Sequence, residues 1–260
     1  MRIGLLLEYD GTDLHGSQLQ SDVRTVQGEV ETALASLFGR PIRLHLASRT
    51  DAGVHATGQV GAFNIETGLP LPTVRKALNH HLPRDVAVVH VAEVTDGFNP
   101  RREAQSREYR YTIYNRPSRS PCLRWQAAHI RARLDDAAMS EAADRLAGEH
   151  DFASFAGPAT PADAITVRRI EHVSLTRDDD RVTLQVRGNS FLHQQVRRIV
   201  GSLVRVGRAD MDGGAFGELI ARAKRGAARD LAPARGLCLT KVNYSDADES
   251  GLPCSPAETD

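Results

Sequence analysis

The 260-residue chain predicts an α+β fold made of two related halves, on three observations. Apolar segments of strand length, bounded by turn formers, alternate irregularly with segments whose apolar residues recur at helical spacing. The succession of strand, loop and amphipathic helix occurs near both ends of the chain, which points to internal symmetry. No apolar run approaches the roughly 20 residues that a membrane-spanning helix needs; Ile3 to Leu7 already breaks after Gly4 is counted. The expected divisions are an N-terminal half over 1–105, a C-terminal half over 106–244 and an acidic tail over 245–260. The tail is rich in Ser, Pro and acids and is expected to be disordered.

Arg2 to Tyr9 reads as a buried strand, ended by the turn formers Asp10-Gly11-Thr12-Asp13 and followed by a long loop. Val26, Val30, Leu34 and Leu37 then recur at helical spacing until Gly39 and Pro41 stop the helix. Ile42 to Ala47 predicts a short strand, Ser48 to Gly58 a loop, and Gln59 to Ile65 renewed extended structure. A helix is expected from about Pro72 to Asn79, and a strand over Val86 to Val94. Ser106 to Tyr114 alternates polar with aromatic or apolar residues at period two, the pattern of a half-buried strand. In the second half Asp135 to Ala147 predicts a helix, and Val167 to Thr176 with Arg181 to Arg187 a hairpin around Arg177-Asp178-Asp179-Asp180. Leu192, Val196, Ile199, Val200 and Leu203 form the core stripe of a helix from Leu192 to about Val206. A helix from about Gly214 to Lys224 and a strand over Leu237 to Tyr244 close the pattern.

The 33 basic and 33 acidic side chains cancel formally, but their distribution is uneven. Ser245 to Asp260 holds five acids and no base, so residues 1–244 set 33 bases against 28 acids, an excess of five. Phe98 to Arg133 carries nine arginines against only Glu103 and Glu108, with Tyr109, Tyr111, Tyr114 and Trp125 interleaved. Basic charge among aromatics is the footprint of nucleic-acid binding, although a solvated cationic face looks the same. The 30 arginines against 3 lysines suit bidentate phosphate contacts, and a GC-rich genome yields the same bias. Cys122, Cys238 and Cys254 are odd in number, far apart and in no CxxC pair, which argues against a disulfide framework or zinc knuckle and for a reducing, cytoplasmic setting. Met1-Arg2 leads straight into a strand, so no secretory signal is expected.

The densest chemistry lies in Ser48 to Val60, SRTDAGVHATGQV, which places a carboxylate, a guanidinium, an imidazole and two glycines on one loop between strands. A turn in which Asp51 bonds its own backbone and Gly53 supplies a positive φ would account for the same residues without function. No metal pattern fits, because there is no HExxH and no Cys/His cluster.

This segment closely resembles the central motif of the tRNA pseudouridine synthase A family, usually GRTDAGVH followed by a small residue and Gly-Gln-Val. Further matches fall in the family's order: EYDGT at Glu8 to Thr12, TVQGEVETAL at Thr25 to Leu34, Phe98 and Arg101 before REYRYTIYN at Arg107 to Asn115, DFASF at Asp151 to Phe155, NSFLHQQVRRIVGSL at Asn189 to Leu203, and GLCLTKVNY at Gly236 to Tyr244. The resemblance covers residues 2–244. It implies two pseudo-symmetric halves, each an antiparallel or mixed sheet with helices packed on one face, around a central basic cleft, and a homodimer. The implied reaction is isomerisation of uridine to pseudouridine at positions 38, 39 and 40 of the tRNA anticodon arm, with no cofactor and no metal.

Residue by residue, Asp51 matches the family's catalytic aspartate and would act as nucleophile at either the sugar or the pyrimidine ring. Arg197 matches the arginine of the family's VR motif and is expected to pair with Asp51, since an ionised carboxylate in a dry pocket requires a cation. A helix from Leu192 would set Arg197 on one polar flank with His193, four residues earlier; a surface helix arginine is the competing view. Tyr109 matches the tyrosine that stacks on the target base, a contact worth roughly 1–3 kcal/mol, whereas an alternating strand also explains a core tyrosine there. Arg49 would hold phosphate or organise the loop, and His55 would be structural or RNA-facing. Phe98, Asn99, Pro100, Arg101 and Arg102 match one RNA-contact segment, and Ile165, Thr166, Val167, Arg168 and Arg169 another, with Arg101, Arg168 and Arg169 the expected phosphate partners.

Two departures stand out. Gly16-Ser17-Gln18 replaces the usual Gly-Trp-Gln, and Phe98-Asn99-Pro100-Arg101 the usual Phe-His-Ala-Arg. Both fall in expected RNA-contact regions, so they bear on target choice and affinity more than on chemistry. Two rival readings are a catalytically silent RNA-binding homologue, which the joint retention of Asp51, Tyr109 and Arg197 opposes, and a pseudouridine synthase acting on another RNA. A metal-dependent hydrolase lacks a ligand cluster.

Overall fold

The computed structural model describes residues 1–245 and forms two compact units. The first comprises Met1–Arg107 and the segment from Cys238 on; the second is Glu108–Leu237. Both combine a sheet with helices, as the alternating periodicities predict.

In the first unit β1 (Arg2–Tyr9), α1 (Val26–Phe38), β2 (His45–Leu46), β3 (His55–Asn64), α2 (Leu71–His81) and β4 (Val86–Val94) follow one another. Ile3, Leu5, Leu6 and Leu7 are all buried, and a strand apolar on both faces belongs inside a sheet. Accordingly β1 pairs antiparallel with β3 on one edge and β4 on the other. Thr25 caps α1 by accepting from Gly28 N–H, and Gly39 ends it in the left-handed region at φ 71. Pro72 sits in the first turn of α2, where a missing N–H costs nothing, and Val74 and Leu78 are its buried residues. The strand expected over Ile42 to Ala47 shrinks to two residues. Around Leu44 the backbone bonds to side chains of α1 instead: its N–H donates to Glu31 and its carbonyl accepts from Gln27. Conversely β3 begins at His55, four residues earlier than expected, because Ala56 already pairs with Tyr9.

The second unit takes β5 (Ser106–Asn115) from Glu108 on, and holds β6 (Ala128–Ile130), α3 (Asp136–Asp144), β7 (Gly148–Asp151), a 3-10 turn at Phe152–Phe155, β8 (Val167–Asp178), β9 (Arg181–Gly188), α4 (Gln195–Gly207) and α5 (Gly213–Arg222). Its strands run in the order β5-β9-β8-β7, with β6 parallel on β5. The β8–β9 hairpin turns at Asp179-Asp180, with Asp179 at φ 49. Phe152, Phe155 and Phe216 stack successively at 6.1 and 6.0 Å and anchor the core.

The stripe Val196, Ile199, Val200 and Leu203 is buried, yet α4 starts at Gln195 rather than Leu192. Gln194 adopts φ 59, which no right-handed helix accommodates. His193 therefore precedes the helix, and the expected shared flank with Arg197 does not exist.

The last strand, β10 (Leu237–Asn243), returns to the first unit although it follows the second in sequence. It runs parallel to β3, pairing Cys238 with His55 and Leu239 with Ala56. A side chain at Gly58 would put a Cβ 2.1 Å from the Thr240 carbonyl, so this seam requires glycine. No helix among the described residues is long and apolar enough to cross a membrane. The acidic tail from 246 on lies outside the described residues.

Candidate active site

The loop that carries Asp51 is fastened by buried side chains from three different elements. Ser48 N–H donates to Gln59 Oε1 at 3.1 Å, and the Ser48 carbonyl accepts from Gln59 Nε2 at 2.8 Å. Thr50 N–H donates to Ser17 Oγ at 2.8 Å, while the Thr50 carbonyl accepts from Ser17 N–H at 3.1 Å. The Thr50 hydroxyl lies 2.9 Å from the Tyr9 hydroxyl, which also accepts from Gln59 Nε2. Gln59 and Ser17 are only 0% and 1% exposed. Ser48 and Thr50 are thus buried and Arg49 between them is exposed, the alternation of extended backbone.

Asp51 follows, half-buried. The chain then reverses through a backbone turn: Val54 N–H donates to the Asp51 carbonyl at 3.1 Å, and Gly53 sits at φ 78 with its N–H on the Leu14 carbonyl. Behind the loop, segment 14–17 is itself pinned to the start of α1. Val26 N–H donates to the Gly16 carbonyl and Gln27 N–H to the Ser17 carbonyl, two amide donors that a helix start leaves without intrahelical partners. Gly16 is at φ 90, and a Cβ there would fall 2.7 Å from the Thr50 carbonyl. On the far side of the turn, Gly11 N–H donates to Nδ1 of buried His55, which lies 3.1 Å from Asp10 Oδ1. Desolvation pushes the Asp10 carboxyl up, but the Thr12 hydroxyl and amide together with His55 outweigh it and leave it below the ordinary carboxylate range. His55 is therefore a clasp between two loops.

Two cations stand beside this loop. The Arg101 guanidinium is lowered by desolvation and then by the charge of Arg49, which places the two within electrostatic reach of each other. The turn that carries Arg101 is built by Asn99, whose Oδ1 accepts from the N–H groups of Arg101 and Arg102 at 3.1 Å each. Buried Arg107 ties the turn down by donating to the carbonyls of Arg101, Ala104 and Ala47, the last lying just before Ser48. Phe98 is buried against Tyr244 at 5.3 Å, and the Pro100 carbonyl accepts from the Tyr244 hydroxyl. Of the 98–102 segment, Arg101 and Arg102 are thus the side chains at the surface.

In the second unit Tyr109 is buried on β5, edge-on to Phe191 at 5.2 Å. Tyr111, on the same face, is 1% exposed and donates to the Pro233 carbonyl. Burial pushes its phenol far above the ordinary range, with Arg197 and Arg235 pulling the other way, so Arg197 lies near this face of β5. Arg197 is half-buried, its Nε donating to the Ala232 carbonyl at 2.9 Å and its own carbonyl accepting from Ala232 N–H. Ile165 and Val167 are exposed, Ile165 at 77%. Arg168 curls back onto the carbonyls of Ile165 and Val167, whereas Arg169 stays exposed.

A family model described as tRNA pseudouridine synthase matches residues 6–101 and 142–245. The chain belongs to that family. Proteins named tRNA pseudouridine synthase A from Geotalea uraniireducens, Chloroflexus aurantiacus and Photobacterium profundum are 43%, 46% and 39% identical over 243, 249 and 256 residues. These alignments cover 94%, 93% and 98% of this chain and 99%, 88% and 97% of the respective proteins.

In this pseudouridine synthase the structure assembles Asp51, Arg49, Arg101 and Arg102 in the first unit, and Tyr109, Arg197 and segment 165–169 in the second. Among the described residues no group of three or more His, Cys, Asp or Glu side chains is placed to hold a metal ion. Ser17, in a segment expected to contact RNA, is itself buried. Its hydroxyl fastens the Asp51 loop by accepting from Thr50 N–H. Tyr9, Ser17, Gln59 and Arg107 carry no local signal because the partners that give them their roles lie 11 to 60 residues away, as with Gln59 and Ser48, Ser17 and Thr50, Tyr9 and Thr50, and Arg107 and Ala47. The one hint for Ser17 was its departure from tryptophan in a motif that otherwise matched.

Proposed function

We propose that this synthase isomerises uridine to pseudouridine at positions 38, 39 and 40 of the tRNA anticodon arm, with Asp51 as nucleophile. The observation that carries the reading is a half-buried aspartate at the end of a loop fixed by buried hydrogen bonds, two residues after the exposed Arg49, in a chain of this family.

The chemistry requires cleavage of the bond from N1 to C1′, rotation of the uracil and formation of a bond from C5 to C1′. As the C5–C1′ bond forms the C5 proton leaves to water and N1 takes one up, so the product is an isomer of the substrate and no oxidant or reductant is consumed. Asp51 attacks the sugar or the ring and holds one half of the substrate while the base turns. Arg197 supplies the positive charge that keeps the carboxylate ionised when water is excluded. Tyr109 stacks on the uracil. A uridine stacked in the arm reaches Asp51 only when everted, at a cost of a few kcal/mol that phosphate contacts from Arg49, Arg101, Arg102, Arg168 and Arg169 offset. The enzyme is proposed to work as a cytoplasmic homodimer, a state that sedimentation of the purified protein tests.

The deciding experiment follows tritium release from tRNA labelled at uridine C5, in EDTA. Wild type releases tritium and Asp51→Ala does not. Equal release by both removes Asp51 from its role, and product mapping outside positions 38–40 overturns the assigned target.

A further inference from the structure

We propose that Ser17, backed by Tyr9, is a positioning residue that sets where Asp51 presents its carboxylate, an inference that rests on the role just given to Asp51. Thr50, the residue before Asp51, has its N–H, its carbonyl and its hydroxyl all engaged, the first two by Ser17 and the third by Tyr9. Ser17 Oγ also donates to the Ser48 carbonyl at 3.4 Å, so one hydroxyl spans both residues flanking Arg49. Its backbone is anchored from the other side by the first turn of α1.

Buried polar groups are costly unless every partner is supplied, and an apolar plug would fill the same space more cheaply. Here three hydroxyls and one amide side chain, from Tyr9, Ser17, Thr50 and Gln59, converge on Ser48 and Thr50, which flank Arg49 just before the nucleophile. Such a network defines one backbone geometry rather than merely filling volume. Reaction rates depend steeply on that geometry, since a misplacement of about 1 Å costs about a hundredfold.

The test measures single-turnover rate, tRNA dissociation constant and melting temperature for Ser17→Ala, Tyr9→Phe and a control, Asn79→Ala. Asn79 links α2 to β4 through two hydrogen bonds to Val88, away from the loop, and its loss lowers stability without touching the reaction. Ser17→Ala and Tyr9→Phe are expected to slow the chemical step about tenfold or more, with tRNA affinity changed less than about twofold. Asn79→Ala is expected to lower the melting temperature at an unchanged rate. If both loop variants keep the wild-type rate, or change only tRNA affinity, the proposal is overturned. Tyr9→Phe retains the ring and decides the matter if Ser17→Ala does not fold. Asp51→Ala run in parallel separates the two ideas: full activity there defeats the nucleophile, whatever the loop variants do.

Discussion

At Gly16 a single hydrogen atom is all the space allows. A methyl group would meet the Thr50 carbonyl at 2.7 Å and the backbone on either side of the Asp51–Ala52 peptide at 3.4 Å, in a conformation with φ 90 that alanine adopts only under strain. Gly16→Ala is expected to fold, because the strain is local to one loop, and to lose at least tenfold in tritium-release rate by displacing residues 50–52. Asn115 predicts the opposite balance. Its amide donates to the carbonyls of Ile130 and Ala132 and accepts from Leu134 N–H and Arg177, all within the second unit. Asn115→Ala strips four partners at once, and stability by urea denaturation is expected to fall by about 3 kcal/mol. At this scale the sequence displays chemistry and hides support. Asp51 and Arg49 stand in one contiguous motif and Tyr109 in another, whereas Ser17 and Gln59 act through partners 33 and 11 residues away that no local pattern reveals.

Among the elements, legibility follows the strength of the boundary. The ranges Arg2–Tyr9 and Val86–Val94 match the sequence expectation to the residue, since an apolar run stops at turn formers on a known period. β6 and β7 were missed: three and four residues are too few for a period, and Gly148-Glu149-His150-Asp151 has no apolar residue at all. The start of α4 failed for a different reason, because Leu192 is buried like the helix stripe but reaches its place from an irregular segment. For α3, Asp136 in the first turn accepts from Arg177 Nε at 2.6 Å, and that bond holds its carboxyl below the ordinary range against a smaller desolvation effect. A depressed folded pKa stabilises above the unfolded value of about 3.9 and ceases to do so as pH falls through the folded one. Wild type and Asp136→Asn should therefore differ in urea midpoint at pH 7 and converge below about pH 4. The difference is expected to be small, because the carboxylate is partly exposed.

For the molecule as a whole, charge placement predicts behaviour towards RNA. Removing Arg101 and Arg102 together should reduce the slope of log affinity against log salt by about two, as two phosphate contacts are lost. A chain ending at Ser245 loses five acids and no base, so its net charge rises from zero to +5. Its tRNA affinity should exceed that of the full chain at low ionic strength, with the gap closing near 0.15 M salt, where screening acts within about 8 Å. The division into two α+β units was legible in the repeated succession of elements, but the return of the last strand to the first unit was not. Leu237 to Tyr244 reads only as a strand, and its partner is set by the path of the whole chain.

That return also governs how the protein is made. Cys238 pairs with His55, 183 positions earlier in the chain. While the ribosome is still adding most of the chain, the strand that emerges from the SRTDAGVH segment has no neighbour along the stretch β10 will later occupy. A product that terminates early thus contains every residue of that segment yet lacks its flanking support and exposes an open strand edge, a template for aggregation. Vectorial synthesis leaves the scaffold behind the Asp51 loop among the last parts to be completed.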